Sequence, residues 1–225
     1  MRKTLFVNEQ FYHIYNRGVD KRKIFQSPDD YERFIKSLFY FNDINILGGL
    51  HLGDLKIGAS GPGPDSRERL VDIIAWCLMP NHFHLILRQR QDGGVSKFLQ
   101  KLVSGYTTYF NIKNDRSGVL LQGAFKSKHI QTDSYLMHAV RYVHLNPVAI
   151  IEPQWETRGI KDWKGALKFL DLYRWSSHSD YTGVENFSSL IHKEHLPHYS
   201  TLTRNYVQFL SQWLLKNRWF ERFRT

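Results

Sequence analysis

The stretch "VDIIAWCLMPNHFHLILRQR" (71–90) decides the fold, because it holds two apolar runs separated only by Pro80 and Asn81. So short a break between runs of strand-forming residues predicts two strands of a β-hairpin joined by a tight turn. Residues i and i+2 of a strand point to the same face of a sheet, which places His82 and His84 side by side. The stretch therefore predicts a hairpin that presents two imidazoles on one face.

Two imidazoles at this spacing allow two interpretations. They can bind one divalent cation together, because neutral imidazole is a common metal ligand. They can equally be polar residues on a solvated strand face, so a metal site needs further donors elsewhere in the chain. The single cysteine, Cys77, lies in the apolar run and is predicted to be a core residue. One cysteine forms no internal disulfide, which suits a reducing cytoplasm and leaves histidines and oxygen atoms as metal ligands.

Helix and strand patterns alternate around this hairpin. Helical spacing of apolar residues and capping signals predict helices over 27–44, 93–114 and 132–147, and short strand patterns occur at 11–18 and 124–131. The order predicts an α+β, ferredoxin-like sandwich, an antiparallel sheet with helices on one face. The Gly- and Pro-rich segment 48–70 is typical of a loop or short hairpin, and it has no phosphate-binding G-K-[ST] motif.

The chain of 225 residues is long enough for one domain with an appended subdomain. We expect residues 1–150 to form the α+β unit. Residues 151–225 are basic and rich in aromatic residues, which predicts a mostly helical extension packed on it.

A net charge of +10 favours a polyanionic partner, nucleic acid before an anionic membrane. No run approaches the roughly 18 apolar residues of a membrane span, and the N-terminus lacks the apolar segment of a signal peptide. Basic residues near the predicted site elements are candidate DNA contacts, although each alone fits an ordinary surface charge: Arg17, Lys21, Arg22, Lys126 and Lys128.

The helix pattern that ends in "RYVHLNP" carries a candidate nucleophile. Tyr142 and Asn146 stand at i and i+4, so they share a face of the helix. Beside a divalent metal, a tyrosine hydroxyl can attack a phosphodiester, and the Asn146 carbonyl oxygen can complete the metal site. A packing tyrosine and an ordinary helix exit before proline explain the same two residues. His144 points away from Asn146 on this helix and is predicted to be structural.

Three further residues compete for places in the site. Tyr106 lies on the apolar stripe of its helix, which favours a core position, whereas spacing leaves Tyr109 open as a rival nucleophile. His13 on the first strand is either a site neighbour or a histidine satisfied by hydrogen bonds.

Six ordered blocks extend the pattern beyond these single residues: "FYHIYNRGVDKRKIF", "AWCLMPNHFHLIL", "SGYTTYFN", "QGAFKSKHI", "RYVHLNPV" and "YRWSSHSDY". Together they resemble the single-tyrosine HUH transposases, most closely the branch of REP-associated tyrosine transposases. The resemblance covers about residues 8 to 182. Relatives often have an arginine where this chain has Ala124, which puts one phosphate contact in question.

The resemblance implies a ferredoxin-like HUH nuclease fold that binds Mg²⁺ or Mn²⁺ through His82 and His84. It matches Tyr142 to the nucleophile and Asn146 to a position that contributes to the metal site. It further implies cleavage of single-stranded, hairpin-forming DNA through a 5′-phosphotyrosine link, by a homodimer or a monomer. Two alternatives stay open: a phosphoesterase that uses an activated water, and a domesticated DNA-binding protein that no longer cuts.

Overall fold

The computed structural model describes residues 5–45, 67–197 and 205–212. Within them, the four strands are β1 (Phe11–Arg17), β2 (Val71–Met79), β3 (His82–Gln89) and β4 (Lys126–Ile130). The helices are α1 (Pro28–Tyr40), α2 (Gly94–Lys113), α3 (Asp133–Leu145), α4 (Trp155–Arg158), α5 (Trp163–Leu172), α6 (His178–Thr182) and α7 (Tyr206–Ser211). The predicted loop over 48–70 lies outside the described residues except for 67–70, as does the chain after 212.

The four strands form one antiparallel sheet in the order β2-β3-β1-β4. The chain order β1, α1, β2, β3, α2, β4 with this strand order is the ferredoxin-like arrangement, so the predicted α+β fold is confirmed. The central hairpin is confirmed too, because Met79 pairs with His82 across a turn made by Pro80 and Asn81.

Helices cover both faces of the sheet, whereas the element order predicts them on one face. Phe34 of α1 packs on Phe83 of β3 with ring centroids 5.1 Å apart, and α2 lies beside α1 on that face. The opposite face carries α3, whose Tyr142 packs against His84. All nine residues of β2 are buried, which explains the difference, since a strand that is apolar on both sides needs cover on both sides.

Local capping sets where the helices begin. Ser27 and Asp30 form a reciprocal capping box at the start of α1, as Ser27 and the following proline predict. Thr132 caps α3 by accepting a hydrogen bond from the Tyr135 backbone N–H (3.2 Å). The helix ends at Leu145, and Pro147 follows in a 3₁₀ turn; both α3 and this turn contact β2.

The chain after residue 150 packs against the sheet edge and α3. Leu78 N–H donates to the Trp175 carbonyl (2.9 Å) and Ser177 N–H to the Trp76 carbonyl (3.0 Å), which extends the pairing of β2. His144 is structural, as predicted, because it lies 2.7 Å from the Ser177 hydroxyl and also contacts Tyr206. The division of the chain at residue 150 stays a prediction. Among the described residues, no helix has the length and apolar character needed to cross a membrane.

Candidate active site

Two histidines of β3 lie together under α3. His82 and His84 alternate with Phe83, so both point to the face that α3 covers, with ring centroids 5.0 Å apart and planes nearly perpendicular. His84 is fully buried and His82 partly exposed. The site therefore contains one fully buried imidazole, His84, and one that solvent can reach, His82.

His84 has one ring nitrogen engaged and one without a hydrogen-bond partner among the described residues. Its Nδ1 lies 2.9 Å from Nε2 of His13 on the neighbouring strand β1. Its Nε2 is buried and makes no hydrogen bond within the described structure. With the proton on Nδ1 and donated to His13, Nε2 presents a lone pair, which is how a metal-binding histidine is oriented by a second residue. His13 is thus a site neighbour, one of the two roles that the sequence leaves open.

His82 is oriented from the turn. Its Nδ1 lies 2.6 Å from the Asn81 side-chain oxygen, and its Nε2 lies 3.2 Å from Oδ1 of Asn146. When Nδ1–H donates to Asn81, the Nε2 lone pair and the Asn146 oxygen face the same space. A cation relieves the repulsion between two such electron-rich atoms, whereas a neutral site leaves it in place.

Burial keeps these imidazoles neutral. It lowers the pKa of His13 to about 3, with the charge of Lys128 lowering it further. Burial also lowers the pKa of His82 to about 4, against the Asn146 oxygen, which would accept a hydrogen bond from the protonated ring and so raises the pKa. The pKa of His84 falls well below its usual value through burial and the neighbouring His82, His13 and Lys128. Neutral imidazole is the form that binds metal ions.

The lowered pKa values predict an acid-sensitive fold. In the unfolded chain His13 takes up a proton below about pH 6.5, whereas burial keeps it neutral in the folded protein. The contribution of neutral His13 to the stability of the fold is therefore complete above that pH. The contribution is lost as the pH falls toward about 3. We expect the free energy of unfolding to be about 2 kcal/mol lower at pH 5 than at pH 7.5 from His13 alone.

Urea unfolding in EDTA at several pH values measures this effect. His13→Gln, which cannot take up the proton, should show a correspondingly smaller loss of stability in acid. The same pH dependence in wild type and His13→Gln would contradict the assignment of the effect to this residue.

Tyr142 of α3 lies over the histidines. Its ring is edge-on to His84 (centroids 5.4 Å apart) and to His13 (5.9 Å), and the side chain is only 3% exposed. The hydroxyl donates a hydrogen bond to Oε1 of Glu156 (3.1 Å). Burial raises its pKa, the Glu156 charge and hydrogen bond raise it further, and a hydrogen bond with Asn146 lowers it. The predicted i, i+4 pair thus shares one face of the helix and the same site.

The rival tyrosines lie on the opposite side of the sheet. Tyr106 is buried and donates to the Ile24 carbonyl (2.5 Å), so it occupies the core as its spacing predicts. Tyr109 donates to the Asp30 carboxylate (3.0 Å), which joins α2 to α1. The structure therefore brings Tyr142 to the histidines and leaves the other two away from them.

Positive charge surrounds the histidines. Arg17 is paired with His82 in the strand register, and Lys126 and Lys128 of β4 lie across β1 from the same face. Lys126 and Lys128 each place their Nζ 5.8 Å from the Tyr15 ring centre. The sheet thus carries three of the five predicted DNA contacts on the site face.

The other two predicted contacts, Lys21 and Arg22, lie in a turn beside the hairpin. Asn81 donates to the Lys21 carbonyl (3.1 Å), so this exposed turn is attached to the strand junction that carries His82. Arg22 is in an exposed ion pair with Asp20 (3.4 Å). These two charges border the site without entering it.

Sequence reasoning missed two groups that the structure adds. The sequence predicts Asn81 as a turn residue only, although its position next to His82 in the chain is a signal for a contact between the two side chains. Glu156 carried no signal, because it lies on a one-turn helix where neither spacing nor a motif marks it. Within the described parts of the chain, no three His, Cys, Asp or Glu side chains are arranged to hold a metal. A metal here would take two histidines and an amide oxygen.

Comparison with known proteins agrees with this fold. Residues 66–148, which hold the hairpin, α2, β4 and α3, match the model of the family described as IS200-like transposase. A solved structure of a REP-associated tyrosine transposase bound to a REP hairpin is similar, with a TM-score of 0.54 and 15% identity over 81% of this chain and 85% of that chain. No curated protein matches the sequence. The resemblance indicated by the six sequence blocks is confirmed.

Proposed function

We propose that this chain, which resembles the IS200-like transposases in sequence and a REP-associated tyrosine transposase in fold, is a metal-dependent DNA strand transferase. It would cut single-stranded DNA, with hairpin-forming repeats as the favoured substrate, and rejoin it through a tyrosine. One observation carries the proposal: the Tyr142 ring packs against the neutral His84 ring, and both the Tyr142 hydroxyl and the neutral His82 ring contact the Asn146 side chain.

The residues present fit a divalent cation, Mg²⁺ or Mn²⁺. His84 offers a buried Nε2 that no described residue hydrogen-bonds, and His82 and Asn146 direct electron-rich atoms toward a common space. These three would hold the ion. When bound, it would supply polarisation of a phosphoryl oxygen, which stabilises the charge that develops during attack.

Tyr142 would be the nucleophile. Its oxygen would form a bond to the phosphorus while the bond from phosphorus to the 3′-oxygen breaks, which leaves a 5′-phosphotyrosine and a free 3′-OH. Because the phosphotyrosine conserves the energy of the broken diester, the reverse attack by a 3′-OH needs no nucleotide cofactor. The rigid α3 fixes the ring against His84 and His13, so the hydroxyl is held at one place over the sheet.

The basic residues would hold the strand. Arg17, Lys126 and Lys128 on the site face would contact phosphates that approach the tyrosine, and Lys21 and Arg22 would contact the flanking strand. Phosphate contacts give affinity with little sequence preference and weaken as the salt concentration rises. A protein that cleaves cellular DNA would act in the cytoplasm. The single, buried Cys77 agrees with this location, because it needs no disulfide partner.

A labelled-strand assay tests the function. A pool of synthetic hairpins with randomised single-stranded flanks is incubated with the protein and Mg²⁺ or Mn²⁺, and the products are separated under denaturing conditions. We expect strands labelled at the 3′ end to stay attached to the protein, and strands labelled at the 5′ end to appear as shorter free products.

Each competing function gives a different result in this assay. A phosphoesterase that uses water would release both labels as free products, and a DNA-binding protein without activity would leave the strands uncut. Either result would overturn the tyrosine mechanism.

A further inference from the structure

The hydroxyl of Tyr142 has a carboxylate as a hydrogen-bond acceptor. The hydroxyl donates a hydrogen bond to Oε1 of Glu156 (3.1 Å). Glu156 follows Trp155 in the one-turn helix α4. This residue lies outside the segment that matches the transposase family, and no motif of the sequence marks it. The contact is therefore a property of this chain that the family match does not assign.

The position of Glu156 is fixed by its neighbour. Trp155 is 1% exposed, and its ring is stacked with that of Tyr142, with centroids 6.2 Å apart and planes at 29°. The backbone N–H of Trp155 donates a hydrogen bond to the Glu152 carbonyl (3.0 Å), which holds the start of α4 to the preceding turn. A buried indole on one side and the backbone on the other thus orient the carboxylate toward the tyrosine oxygen.

The chemistry of the neighbouring groups singles out this carboxylate. The hydroxyl also has a hydrogen bond with Asn146, but an amide does not accept a proton near neutral pH. The His84 ring plane is perpendicular to that of the tyrosine ring, and its Nδ1 is engaged with His13. Glu156 is ionisable, within hydrogen-bond reach of the proton that must leave, and partly exposed, so it can exchange that proton with solvent.

We propose that Glu156 is a catalytic residue that accepts the Tyr142 proton during attack, an inference that rests on the proposed function. As the tyrosine oxygen bonds to phosphorus, its proton passes to Oε1, and the departing 3′-oxygen takes a proton from solvent. On rejoining, the 3′-OH loses its proton to solvent, and Glu156 returns a proton to the tyrosine oxygen as the phosphotyrosine bond breaks. Protons and bonds balance over the two steps with no other reactant.

Glu156→Gln tests the assignment, because glutamine keeps an oxygen that accepts the hydrogen bond but cannot take up a proton. Single-turnover formation of the covalent adduct should fall by about 10²–10⁴-fold, the usual contribution of a general base. Hairpin affinity, measured by fluorescence anisotropy, should stay within about twofold of wild type, since the DNA contacts are unchanged. Glu185→Gln removes the same charge from an exposed position and serves as the matched control, with wild-type rates expected.

A second variant separates proton transfer from positioning. In Glu156→Ala, added formate should restore adduct formation at least about tenfold, because a small carboxylate can occupy the vacated space and accept the proton. Adduct formation by Glu156→Gln within about threefold of wild type, or no formate rescue of Glu156→Ala, would overturn the role. A wild-type protein that forms no adduct would instead overturn the proposed function, and the role of Glu156 with it.

Discussion

Tyr142→Phe should abolish the covalent adduct and strand cleavage, with a loss of at least about 10⁴-fold in rate, because it removes the attacking oxygen itself. Phenylalanine keeps the ring that packs against His84, His13 and Trp155, so the site should keep its shape. The variant loses the hydrogen bonds of the hydroxyl with Glu156 and Asn146, which together cost roughly 2–4 kcal/mol of stability. Hairpin binding should stay close to that of wild type.

The chain supplies its own control for this substitution. Tyr109→Phe removes a hydroxyl that bonds to Asp30 on the far side of the sheet, and it should cut DNA at the wild-type rate. Cleavage and adduct formation by Tyr142→Phe at a rate comparable with wild type would exclude this tyrosine as the nucleophile. Loss of activity in both variants would indicate a general effect of hydroxyl removal on the fold.

Replacing His84 with alanine should remove metal-dependent cleavage, with a loss of at least about 100-fold, and EDTA should do the same to wild type. His84 is fully buried, and its Nε2 has no hydrogen-bond partner in the part of the chain that the structure describes, so its removal takes away one of three proposed ligands. Titration of Mn²⁺ by electron paramagnetic resonance measures binding directly, without any dependence on cleavage. We expect weaker Mn²⁺ binding in His84→Ala and also in His82→Ala.

His129→Ala is the matched control for the histidine variants. His129 lies on β4, where it stacks with Tyr12 and contacts Gln10, and alternation along β4 points it to the sheet face opposite Lys128. Its removal should leave Mn²⁺ affinity and cleavage unchanged. Activity of wild type that persists in EDTA, or undiminished Mn²⁺ binding by both site variants, would contradict the metal role of the pair.

Much of the site follows from periodicity alone. The period of two in a strand places His82 and His84 on one face, and the i, i+4 relation in a helix places Tyr142 beside Asn146. Both relations are local, so the sequence determines them before the fold is known. The contact between β3 and α3 depends on the topology of the fold. The family resemblance of the ordered sequence blocks predicts this topology, whereas local periodicity does not.

The remaining features depend on contacts that local patterns do not carry. β2 is buried on both faces, and α3 covers the second of them. The apolar run of β2 predicts this burial, but it does not indicate which helix covers each face. Glu156 reaches Tyr142 only because a short irregular segment folds back after α3. His13 pairs with His84 through the register of β1 on β3, which is set by the whole sheet.

The two-residue turn between β2 and β3 couples correct pairing of the two strands to the formation of the site. Asn81 both forms this turn and contacts His82, so the geometry of the imidazoles and the strand register are fixed together. A slip of one residue would rotate both histidines to the face beneath α1 and α2, away from Tyr142. A misregistered chain would therefore lack the proposed site, so the turn that positions the imidazoles also confines the site to the correctly paired sheet.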